Sequence, residues 1–92
     1  MKCIIYSATW CGPCRMLHKT VDAIKAEHPE WYIQFHDIEE YAEEVEQYQV
    51  QNLPTIIFFD MEEIIHRTCG NFPKATLEEM FHQYLDVKTA EK

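Results

Sequence analysis

The run Thr55-Ile56-Ile57-Phe58-Phe59 (TIIFF) constrains the fold of this chain more than any other segment. A strand turns successive side chains to opposite faces, and this run is too uniformly apolar to leave either face for water. Such a strand lies inside a sheet covered on both sides, and the rest of the chain must supply the covers. Lys2 to Ser7 (KCIIYS) is a second short, mostly apolar run of the same kind. Trp31 to Asp37 (WYIQFHD) alternates and is rich in aromatic and branched residues, as a half-buried strand would be.

Between these runs the apolar period lengthens. Cys14, Leu17, Val21, Ile24 and His28 recur at helical spacing, and Pro29 closes that segment. Ile38, Tyr41, Val45 and Tyr48 mark one face of a second helix, with Glu39, Glu40, Glu43, Glu44 and Glu46 on its wet sides. Asp60 to Glu63 reads as a turn into a fourth strand, Ile64 to Cys69. Leu77, Met80, Phe81, Tyr84 and Leu85 then stripe a last helix. Pro73 precedes it, and Thr76-Leu77-Glu78-Glu79 has the pattern of a capping box. The order β-α-β-α-β-β-α predicts an α/β fold, a four-stranded mixed sheet flanked by three helices. The first two helices are expected as crossovers and the last two strands as an antiparallel hairpin.

Composition sets limits on function. With 92 residues, 47% hydrophobic and 26% charged, the chain has the size of one domain spanning 1–92, and it carries no linker or repeat. A net charge of −8 argues against non-specific binding to nucleic acid or to an anionic membrane, both of which reward basic patches. No apolar run is long enough to cross a bilayer, and the start MKCIIYSAT does not resemble a secretory signal. Four cysteines would frame a small secreted scaffold, but the ample core and only two glycines oppose that class. The expected location is the cytoplasm, with paired thiols reduced or cycling.

Those paired thiols are Cys11 and Cys14, in the stretch Ala8-Thr9-Trp10-Cys11-Gly12-Pro13-Cys14-Arg15-Met16. Cys11 follows a strand and opens a helix, where unsatisfied N–H groups and the macrodipole favour negative charge. A thiolate is the nucleophile of disulfide exchange, and this position lowers a cysteine pKa from about 8.5 toward 7 or below. Pro13 suits the first turn, where its missing N–H costs nothing. Cys14 lies one turn in, toward the core. The two sulfurs are thus unequal, an outer one suited to attack and an inner one suited to resolve a mixed disulfide.

On these residues the chain resembles the thioredoxin family. Trp10-Cys11-Gly12-Pro13-Cys14 matches the family's WCGPC signature, Leu53-Pro54-Thr55 falls where its cis-proline loop lies, and Gly70 follows the fourth strand at its interval. The resemblance implies a thiol–disulfide oxidoreductase that reduces protein disulfides, with Cys11 as nucleophile and Cys14 as resolving thiol. It implies a cis Pro54 facing the pair, and a docking surface of Trp10, Gly12, Pro13, Leu53, Pro54, Thr55, Cys69 and Gly70. It also implies a monomer that binds no cofactor of its own. A thioredoxin reductase drawing on NADPH would restore it, and ribonucleotide reductase is one client the family role implies.

The chain also departs from the family's pattern. It begins at what would be the second strand, as in a minimal, glutaredoxin-sized or phage-type form. Ile5 and Phe35 stand where the family has a buried acid and its lysine companion, so the Cys14 proton is expected to leave through water or a substrate group. Other readings remain at this stage. Glutathione-linked reduction, as in glutaredoxins, is one, and a non-catalytic interaction module is another. Cys11, Cys14, His66 and Cys69 form a formal zinc set, opposed by the opposite faces that positions 66 and 69 take on a strand. A shared iron–sulfur cluster usually goes with a single active-site cysteine and a glutathione pocket, neither of which is seen here. Cys3 reads as an inert core thiol, Cys69 as an exposed one.

Overall fold

The computed structural model describes residues 1–86, so residues 87–92 of the expected domain lie outside the described residues. The elements follow the expected order: β1 (Lys2–Ser7), α1 (Gly12–Glu27), β2 (Ile33–Asp37), α2 (Ala42–Gln47), β3 (Thr55–Asp60), β4 (Glu63–Cys69) and α3 (Lys74–Leu85). The sheet order is β2-β1-β3-β4. β1 and β2 run parallel, with Ile5 opposite Phe35, joined by the α1 crossover. β3 runs antiparallel to β1, with Ile4 opposite Ile57, and forms an antiparallel hairpin with β4. The sheet is therefore mixed. The α2 connection passes over β1 to reach a strand of opposite direction.

Strand alternation divides the core into two layers. Cys3 and Ile5 of β1 with Ile56 and Phe58 of β3 pack against Leu17, Val21 and Ile24 of α1 and Leu77, Phe81 and Leu85 of α3. Ile4, Tyr6, Ile57 and Phe59 face the other way, under Ile38, Val45, Tyr48 and Val50. The apolar run of β3 has no wet face: Ile56, Ile57 and Phe58 are 0% exposed and Phe59 2%. Each such side chain contributes about 1.5–3 kcal/mol on burial, which makes β3 the spine of the fold.

Three local expectations are corrected. β2 begins at Ile33, not Trp31. Trp31 instead stacks on His28 (ring centroids 4.0 Å apart) and its indole N–H donates to Asp86 at 2.9 Å, so it seals the junction of α1 and α3. α3 begins at Lys74, because the Pro73 carbonyl accepts the first helical bond from Leu77 at 3.0 Å. Thr76 is therefore inside the first turn and caps nothing. Glu44 is only partly on a wet side, its side chain 36% exposed. Its Oε1 accepts from the Tyr6 hydroxyl at 2.8 Å and lies 3.0 Å from His36 Nδ1, tying the short α2 to the sheet.

Candidate active site

The site forms at one end of the sheet, where β1 stops and β3 starts. After Ser7 the chain turns through Ala8 to Trp10, and the Cys11 amide donates to the Ala8 carbonyl at 3.2 Å. Cys11 is the N-cap of α1, with extended backbone (φ −93°, ψ 111°). Its Sγ accepts from the Cys14 amide at 3.2 Å, doing for one orphan helix donor what a serine or aspartate oxygen does elsewhere. Gly12 and Pro13 fill the first two helical positions. Cys14 follows one turn in. The two sulfurs are joined as a disulfide, with Cα atoms 5.2 Å apart. Cys11 is 7% exposed and Cys14 2%, while the neighbouring Trp10 is 66% exposed. The sulfur at the helix start is the outer one, and it sits where the field favours a thiolate.

A second segment meets the pair from β3. The Leu53–Pro54 peptide is cis. Leu53 packs against the cluster of Ala8, Cys11 and Cys14. The Pro54 carbonyl accepts from the Gly70 amide at 2.9 Å, which ties this loop to the end of β4. Gly70 has φ +107°, a conformation side chains disfavour. Cys69 is exposed and sits opposite Thr55 in the hairpin register. Thr55 itself is buried, and its hydroxyl donates to the Asn52 carbonyl, so its side chain shapes the loop instead of lining a surface. The segments 10–14, 53–55 and 69–70 thus lie at one end of the sheet.

Other residues fall elsewhere. Cys3 is fully buried, and burial pushes its thiol up, away from reactivity. The formal zinc set is not brought together. His66 stacks on Tyr84 on the α3 side (centroids 4.5 Å), Cys69 lies on the opposite face of β4, and Cys11 and Cys14 are bonded to each other. Among the described residues, Glu27, His28 and Glu78 are a group of three with ligand atoms mutually within reach, and there Lys74 already pairs with Glu27 at 3.2 Å. One polar feature escaped the sequence reading, the Tyr6–Glu44–His36 cluster. His18, a half-exposed histidine, lies at i+4 from Cys14, one helical turn further along α1.

Comparison with known proteins agrees with this geometry. The family model described as Thioredoxin matches residues 2–83. Thioredoxin of Chlamydia trachomatis serovar D is 35% identical over 81 residues, covering 88% of this chain and 79% of that protein. Thioredoxin M3, chloroplastic, of Oryza sativa subsp. japonica is 36% identical over 73 residues, which cover 78% of this chain but 42% of the longer rice protein. The X-ray structure of Fasciola hepatica thioredoxin superposes with a TM-score of 0.80 at 28% identity, covering 89% of this chain and 78% of that one. With the cysteine pair joined at the start of α1, these matches make the chain a member of the thioredoxin family and a thiol–disulfide oxidoreductase.

Proposed function

We propose that the chain reduces disulfides in protein substrates through a Cys11–Cys14 dithiol/disulfide cycle. The Cys11 thiolate attacks a substrate disulfide and forms a mixed disulfide, releasing one substrate thiolate. Cys14 then attacks Cys11 Sγ, the Cys11–substrate bond breaks, and the second substrate thiolate leaves with the electron pair. Two electrons pass to the substrate and the Cys11–Cys14 bond remains. The observation that carries this reading is the inequality of the sulfurs: Cys11 caps the helix and accepts an amide, while Cys14 is buried one turn behind.

Substrate docks as an extended segment over Trp10, Gly12, Pro13, Leu53, Cys69 and Gly70, using backbone groups of the cis-proline loop, whose Pro54 ring is itself fully buried. Thr55 contributes by holding that loop through Asn52. A monomer suffices, since both thiols come from one chain. No bound cofactor enters the cycle. Electrons return from NADPH through a thioredoxin reductase, and ribonucleotide reductase is one client of suitable chemistry. A cytoplasmic location fits the two free thiols Cys3 and Cys69. Among the described residues no helix is long and apolar enough to cross a membrane.

The test is reduction of insulin disulfides with dithiothreitol as donor. The wild type is expected to turn over and Cys11→Ser to stay at the uncatalysed rate. Turnover by Cys11→Ser, or none by the wild type, would overturn the reading; the latter would leave an interaction module.

A further inference from the structure

We propose that His18 accepts, through water in a cleft beside the pair, the proton that Cys14 gives up when it resolves the mixed disulfide. The inference rests on the order of attack proposed above. Cys14 is 2% exposed and must ionise before it can attack, while burial among apolar groups resists that ionisation. A proton acceptor within reach is therefore needed.

The geometry offers one on the flank of α1. Cys14, Arg15, His18, Phe35, Asp37 and Glu40 bound a cleft of about 390 Å³, room for several waters at roughly 30 Å³ each. Phe35 and its β1 partner Ile5 have no group that takes a proton. His18 does, and it lies at i+4 from Cys14, on the same side of the helix. Its ring packs on Phe35 with centroids 4.0 Å apart. Its Nε2 lies 3.7 Å from the Asp22 carboxylate, an exposed i, i+4 contact that leaves the ring free to turn toward the cleft. Nδ1 has no hydrogen-bond partner among the described residues.

The other charged groups around the cleft favour the same assignment. Asp37, at the end of β2, spends Oδ1 on the Glu39 amide at 2.8 Å. Glu40 follows it, and ionised carboxylates are weak bases near neutral pH, whereas imidazole takes up and releases protons there. Arg15 is turned to the Thr9 carbonyl at 2.9 Å. In the step itself the Cys14 proton passes through water to His18 and the Cys14 thiolate attacks Cys11 Sγ. The Cys11–substrate bond breaks, and the departing substrate thiolate carries the electron pair. Solvent then clears the proton from His18.

The experiment mixes reduced protein with the symmetric disulfide of a short cysteine peptide, quenches with acid and follows two species by mass. Appearance of the Cys11–peptide adduct reports attack, and its conversion to the Cys11–Cys14 disulfide reports resolution. If no adduct forms on Cys11, the parent reading fails, whatever His18 does. Given the adduct, His18→Gln is expected to slow resolution on the order of 10²-fold at pH 7. The deficit should narrow as the pH rises past the ordinary thiol range near about 8.5. The His18 side chain is 53% exposed, and the unfolding midpoint of the variant checks that the fold is kept. Resolution at the wild-type rate at pH 7, a deficit equal at every pH, or a larger deficit in Asp37→Asn would each overturn the proposal.

Discussion

The Gly70 amide donates to the Pro54 carbonyl at 2.9 Å, so the end of β4 holds the loop that faces the cysteine pair. Gly70 makes this bond at φ +107°. A methyl group added there would meet nothing within 4 Å, so the cost of Gly70→Ala is backbone strain and not a clash. That strain is expected to cost about 1–3 kcal/mol. Urea unfolding measures it, and insulin reduction by the folded variant should fall as the loop shifts away from Cys11.

The Tyr6–Glu44–His36 cluster makes stability depend on acid. Burial raises the Glu44 carboxyl, but hydrogen bonds from Tyr6 and His36 outweigh it and leave it below its usual range. A depressed carboxyl stabilises the fold above its unfolded value, about 4.3, and that contribution is lost as pH falls through the folded value. The urea midpoint of the wild type should therefore drop between pH 7 and pH 3.5 by more than that of Glu44→Gln. Equal drops would show that the cluster carries no such linkage.

Phe81 joins the helical layer to the sheet, with its ring 5.9 Å from Phe58 and 5.8 Å from Trp31. It is fully buried. Phe81→Ala is expected to cost about 3–5 kcal/mol, a large share of the roughly 5–15 kcal/mol that holds a small domain together. Thermal unfolding followed by circular dichroism checks this.

The two remaining thiols should differ sharply. Cys3 is 0% exposed with its thiol pushed up by burial, and Cys69 is exposed. Alkylation of the oxidised native protein is expected to label Cys69 alone, and alkylation in urea to label both.

Much of this was legible from spacing alone. The β3 run fixed a sheet covered on both sides because alternation leaves an all-apolar strand no wet face. The start of α1 and the place of Cys11 on it were legible because Gly-Pro suits only the first helical turn. What stayed hidden depends on partners distant in sequence. Trp31 has the composition of a strand residue, but its place is set by His28 and by Asp86, 55 positions away. Glu44 looks like any other glutamate of its run until Tyr6, 38 positions earlier, is seen to donate to it. The docking surface was expected as a set, yet the burial of Thr55 follows from the turn at Asn52, which residue type does not reveal.

The central claim is that Cys11 is the outer, ionised sulfur and Cys14 the inner one. Alkylation of the reduced protein across pH, with the modified residue located by mass, tests it most directly. The account predicts that Cys11 reacts first and that its rate is half-maximal well below the free-thiol value of about 8.5, with Cys14 unmodified. Half-maximal reaction of Cys11 near that free value, or earlier modification of Cys14, would contradict it.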